Sequence, residues 1–228
     1  MALLLASHPV PAAVMTAGLT GAAALSGRDG TGCLLVAATV LSGQLSVGWV
    51  SDLVDRNRDA QVGRQDMPVA MGWVDPGTVA FAAACAALLT LPLSIANGTT
   101  AGIAHLLGVS SAWLYDLWLK KTVLSWLPYA TSFGLLPAFL SYGGPGGGAP
   151  GSPPTWSMTV LAALLGIGIH FLTTLPELVE DRATGLRHLP LRLAMRIGAA
   201  RLRWVATSYT VLVAAAIVAA ALSTGLRQ

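Results

Sequence analysis

Apolar residues in this chain fall into seven stretches of about twenty, at 8–27, 32–53, 77–96, 99–118, 124–142, 156–177 and 203–224, separated by short polar runs. About twenty residues rising ~1.5 Å each cross a ~30 Å hydrocarbon layer as a helix, so each stretch is predicted to span a membrane. Gly and Pro within them are compatible with that, because membrane helices pack closely through small residues. Residues 143–154 contain only Gly, Pro, Ser and Ala and read as a flexible linker. No strand precedes them and no Gly-Lys-Ser/Thr follows, so they are not a phosphate loop. Residues 189–203 form a basic amphipathic run predicted to lie at anionic headgroups. The apolar opening at residues 1–6 lacks a basic flank and is interrupted by His8 and Pro9, so no cleaved signal is expected.

Composition agrees with the pattern. The chain is 54% hydrophobic and 10% charged, with a mean hydropathy of +0.68, which indicates an all-α, polytopic transmembrane helix bundle forming a single domain over 1–228. The net charge of +3 is modest, and no basic cluster is interleaved with exposed aromatics, which excludes nucleic acid as a partner. Cys33 and Cys85 sit in apolar stretches, where a thiol packs as a small side chain.

Charge is distributed unevenly. Eleven of the thirteen Lys and Arg fall after the second stretch (Arg56, Arg58, Arg64), the fourth (Lys120, Lys121) and the sixth (Arg182, Arg187, Arg192, Arg196, Arg201, Arg203). In an alternating topology these loops share a side, and the positive-inside rule makes that side cytoplasmic; a plasma-membrane location is expected. Eight of the ten carboxylates, Asp52, Asp55, Asp59, Asp66, Asp116, Glu177, Glu180 and Asp181, lie at the same ends, leaving Asp29 and Asp75 elsewhere.

Asp52, Asp55 and Asp59 recur at i, i+3 and i+7 and so share one helical face. A solvated helix end would give the same spacing. In so apolar a chain, however, clustered carboxylates at membrane depth mark a cation site, and oxygen-only ligands suit Mg²⁺. Glu177 and Asp181, at i and i+4, form a second one-faced pair. Together with Arg64, Tyr115 and Lys120 they suggest a diphosphate held by metal ions and cations and ionised at an allylic C–O bond. The carbocation so formed needs a dry chamber with aromatic faces. Trp49, Trp113, Trp118, Tyr129, Phe133 and Phe171 are candidates, each taken singly better explained by packing or an interfacial belt. His170 reads as a helix–helix hydrogen-bonding residue and His8 as a helix-start residue.

These residues also carry a resemblance. The run from Ser51 to Asp59 resembles the Asn-Asp-x-x-Asp-x-x-x-Asp motif of the UbiA-type intramembrane prenyltransferase family, with Ser51 in place of Asn. The run from Gly63 to Gly72 is similar to that family's Arg-x-x-(Lys/Arg)-Pro-x-x-x-Gly, with Met67 where a base is usual. The segments Trp113–Thr122, Leu127–Ala130, Leu135–Ala138 and Thr174–Gly185 follow in the family's order, with Glu177 replacing Asp and Thr174 replacing an amide or acid.

The resemblance implies a cytoplasm-facing cavity, Mg²⁺ as cofactor and a prenyl diphosphate as substrate. It assigns Asp52, Asp55 and Asp59 to one metal and Glu177 and Asp181 to another, these five being the catalytic set. Arg64, Lys120 and Tyr115 would steady the diphosphate, along with Ser51 and Thr174, and Arg56 or Lys121 would substitute for the base lost at Met67. The family pattern has nine helices and this chain supplies seven, which implies a shortened bundle or a helix pair from a partner subunit, so oligomerisation stays open. The implied reaction is prenyl transfer to an aromatic or other lipophilic acceptor. A membrane terpene cyclase uses the same ionisation, and a non-catalytic transporter or subunit would place its charges along a pore instead.

Overall fold

The computed structural model describes residues 1–143 and 151–224 and is all-helical among them. Most of the glycine- and proline-rich linker, residues 144–150, lies outside the described residues. The helices are α1 (Ala2–Leu5), α2 (Pro9–Leu25), α3 (Gly30–Val62), α4 (Pro76–Ala96), α5 (Thr99–Leu117), α6 (Trp126–Tyr142), α7 (Trp156–Thr174), α8 (Leu178–Ala183), α9 (Leu189–Ile197) and α10 (Ala199–Thr224). Sequential long helices from α2 to α7 pack side by side, and α10 returns against α7. The seven long helices coincide with the seven apolar stretches. Five of them, α6 taken together with the helical turn from Val123 that leads into it, are long and apolar enough to cross a membrane. Of the other two, α2 has only 17 residues, and the apolar run of α5 is interrupted by His105, Ser110, Ser111 and Asp116.

Local chemistry sets the helix ends. Asp29 Oδ1 accepts the Gly32 N–H at 2.7 Å and starts α3, and Asp75 Oδ2 accepts the Thr78 N–H at 2.9 Å and starts α4 just ahead of Pro76. At its other end α3 stops at Gly63, in the left-handed region at φ 68°. Its 33 residues continue about nine beyond the expected end of the second span, so Asp52, Asp55 and Asp59 lie on an unbroken helix. All three are buried. Asp75, set apart by the sequence reading, belongs to the loop after α3 and so shares the face of the other carboxylates. Asp29 is the exception.

Where helices approach closely, a side chain is excluded: a Cβ on Gly166 of α7 would collide with the Tyr129 carbonyl oxygen of α6. The end of the bundle away from the acidic face is closed by Leu19, Val36, Val40, Ala101, Ala104 and Phe139, all buried. Arg28, 6% exposed, locks that end. Its guanidinium donates to Asn97 Oδ1 at 2.9 Å and to the Leu140 carbonyl at 3.1 Å, satisfying the last turn of α6. At the acidic face, Ala6, Val69 and Val79 pack with Leu3, Trp49 and Leu53, tying the N-terminal turn to the α3–α4 loop.

Candidate active site

A cavity of about 370 Å³ runs from the acidic face down to Leu19, Val40, Ala104 and Phe139. Asp52, Asp55 and Asp59 from α3 line its mouth, opposite Glu177 and Asp181 from the end of α7 and from α8; Tyr115, Asp116 and Lys120 form a third side. The two acidic motifs therefore face one pocket. Below them the walls are apolar apart from His105, Gln44 and a few hydroxyls.

Cations are interleaved with the carboxylates. Lys120, 5% exposed, binds Asp55 Oδ2 through its ammonium and lies 3.9 Å from Asp116. Arg58 donates to Asp55 at 3.0 Å and reaches Asp59 and Asp181, each at 3.5 Å. Arg64 bonds Glu177 Oε1 at 2.8 Å and Asp66 Oδ2 at 3.0 Å. Burial opposes the charge on Arg64, but the bonds to Asp66 and Glu177 outweigh it and hold its pKa above the ordinary value. The hydrogen bond from Arg64 in turn lowers that of Asp66.

Two buried carboxylate oxygens of the first motif, Oδ1 of Asp52 and Oδ1 of Asp59, accept no hydrogen bond, the second lying 3.5 Å from the Arg58 guanidinium. A buried anionic oxygen with free lone pairs beside a cavity, as Asp52 Oδ1 is, fits a hard cation. Among the described residues no three acids, histidines or cysteines gather as a complete metal cage. This qualifies the expected cation site: the carboxylates share a face and a pocket, and ligands from water or phosphate would have to complete any coordination. Mg²⁺ characteristically takes such a mixed shell.

The remaining candidates divide clearly. Ser51 lines the pocket beside Asp116. Thr174 also lines it, but its hydroxyl proton goes to the His170 and Phe171 carbonyls at 3.0 and 3.1 Å. Tyr115, Tyr129 and Phe133 face the chamber, with Tyr115 and Tyr129 edge to face at 5.1 Å. Arg56 is a correction: one residue past Asp55, it is turned about 100° around the helix, is exposed and lines no part of the pocket. Lys121 is exposed as well. Trp118 is 67% exposed, and Trp49 is held outside the pocket by its bond to the Leu3 carbonyl at 2.8 Å.

His170 is fully buried and bonds Ser125 Oγ, at the start of α6, at 3.0 Å, in keeping with the expected hydrogen bond between helices. His8 begins α2 as expected, but it also lines the pocket, with a left-handed backbone at φ 51°. Sequence reasoning missed Arg58, Asp116, His105 and His188. The i+3 step from Asp55 and the i+4 step from Asp116 to Lys120 were legible signals for two of them. Nothing in the sequence marked the histidines.

A family model described as the UbiA prenyltransferase family matches residues 11–227. No curated protein matches the chain. Among solved structures, a UbiA homolog from Archaeoglobus fulgidus bound to DMAPP and Mg²⁺ has a TM-score of 0.71 at 18% identity, over 95% of this chain and 77% of that one. The structure described as bound to GPP and Mg²⁺ has a TM-score of 0.72 at 15% identity, with coverage of 95% and 77%. The one bound to Cd²⁺ has 0.69 at 16%, covering 95% and 78%. At these identities the likeness shows the fold.

Proposed function

The chain belongs to the UbiA prenyltransferase family, and on that premise we propose that it ionises an isoprenoid diphosphate and transfers the prenyl group to an aromatic or other lipophilic acceptor. The observation that carries this reading is the meeting of the two acidic motifs across one pocket that continues into an apolar chamber. The solved relatives bound to DMAPP, GPP and Mg²⁺ support the same substrate class and metal.

Asp52, Asp55 and Asp59 on one side and Glu177 and Asp181 on the other would hold Mg²⁺, which when bound neutralises a diphosphate leaving group. Arg58, Arg64 and Lys120, now paired with these carboxylates, would turn to phosphate oxygens, with Tyr115, Ser51 and Thr174 as lesser contacts. The allylic C–O bond breaks with its electron pair leaving on the diphosphate. The acceptor then bonds to the prenyl carbon, and its displaced proton leaves with the diphosphate. Tyr129 and Phe133 line the chamber, where aromatic rings would stabilise the cationic carbon. The charge asymmetry supports a mouth facing the cytoplasm.

The test is product analysis of membranes holding the full chain, given Mg²⁺, a labelled prenyl diphosphate and phenolic acceptors. Prenylated acceptor is expected, abolished by EDTA and by Asp55→Ala. Full activity in Asp55→Ala would refute the reading. A cyclic hydrocarbon or terpene alcohol formed without acceptor would replace it with terpene cyclisation. Absence of Mg²⁺-dependent diphosphate binding would favour a non-catalytic role.

A further inference from the structure

His188 lies outside both acidic motifs, yet it is 2% exposed and both ring nitrogens are engaged. Nδ1 accepts the Leu191 N–H at 3.2 Å and so caps the first turn of α9. A nitrogen that accepts carries no proton, so the N–H is at Nε2, 2.8 Å from Asp181 Oδ2. The other Asp181 oxygen, Oδ1, faces Arg58 at 3.5 Å, and both residues line the pocket. The Asp181 carboxylate is therefore held through one oxygen and presented through the other. The helix seated on His188 is the basic amphipathic one, with Arg192 and Arg196 exposed.

We propose that His188 is a positioning residue, fixing the rotamer of Asp181 so that Oδ1 is offered to the pocket and tying that carboxylate to the seat of α9. The inference rests on the reading of Asp181 as a metal ligand. Losing a hydrogen-bond partner that orients a ligand leaves the ligand present but misaligned, which typically costs about 10–100-fold in metal affinity.

Thr and Asn are good N-caps, so His188→Thr and His188→Asn retain the cap of α9 while losing the reach to Asp181. The full chain in detergent is titrated with Mn²⁺ by electron paramagnetic resonance in the presence of inorganic diphosphate, with thermal unfolding followed in parallel. Expected are a Tm lowered only by the loss of one buried hydrogen bond, a Kd for Mn²⁺ raised about tenfold or more, and a higher half-saturating Mg²⁺ in turnover with kcat regained at saturation. His188→Gln, which returns an N–H donor near the position of Nε2, is expected to recover most of the affinity that Thr loses.

A histidine that serves only as a cap would leave Mn²⁺ binding at the wild-type level in the Thr and Asn variants, and that result overturns the proposal. Asp181→Asn separates the two readings. If it weakens Mn²⁺ binding while the His188 variants do not, the positioning role alone falls. If Asp181→Asn and wild type bind alike, the metal reading falls and takes this one with it.

Discussion

Arg64 and Glu177, 113 residues apart, are joined by a 2.8 Å ion pair that links the loop after α3 to the end of α7. Both residues line the pocket, and the pair sets a guanidinium beside the second acidic motif. Arg64→Gln is expected to raise KM for the prenyl diphosphate about ten- to hundredfold, with a smaller effect on kcat, since a charge-assisted bond made in both ground and transition states is lost. Steady-state kinetics in proteoliposomes check it, and an unchanged KM would remove Arg64 from the substrate site.

Lys120 neutralises Asp55 and stands 3.9 Å from the buried Asp116. Lys120→Met leaves Asp116 without its cation, and breaking such a pair from one side costs about 3–5 kcal/mol. Thermal unfolding should show a marked loss. Lys120→Met combined with Asp116→Asn should recover most of the stability while activity stays low, separating folding from substrate contact.

The pocket floor sets a length limit. About 18 Å of helix at ~1.5 Å per residue separates Val40 from Asp52 on α3, and Phe139 and Leu19 close the same level. A three-bond repeat spans ~3.3–3.6 Å extended, so a four-carbon isoprene repeat adds about 4.5–5 Å. With the diphosphate at the mouth, three repeats take about 13.5–15 Å and fit, and a fourth, at about 18–20 Å, meets the floor. The C10 and C15 diphosphates should show higher kcat/KM than C20, and Phe139→Leu should shift the ratio toward C20. Equal kcat/KM for all three in the wild type would show that the floor does not limit length.

Arg28 donates to Asn97 and to the end of α6 from a buried position. Arg28→Met strands those acceptors, at a cost of about 2–3 kcal/mol. A lower Tm in detergent with an unchanged KM for prenyl diphosphate is the expected signature, because this clamp lies at the far end of the bundle from the acidic motifs.

Arg56 faces away from the pocket. Arg56→Gln should leave kcat/KM within about twofold of wild type, as expected for a surface substitution. A loss comparable to that of Arg64→Gln would mean that Arg56 swings into the site during turnover.

By itself the sequence determined the seven apolar helices, because a ~20-residue apolar run has one good solution in hydrocarbon: a helix whose backbone groups pair internally. It also placed Asp52, Asp55 and Asp59 on one face, since helical periodicity is local. Tertiary structure alone decided which groups those carboxylates meet. Arg58 rather than Arg56 serves the pocket because α3 continues as one helix to Val62 and turns the 55–59 face inward. Lys120 reaches Asp55, Arg64 reaches Glu177 and His188 holds Asp181. The first two contacts join residues from different helices and loops, and the third needs the chain to fold back after α8. Their energies depend on burial and distance, which a one-dimensional pattern does not carry.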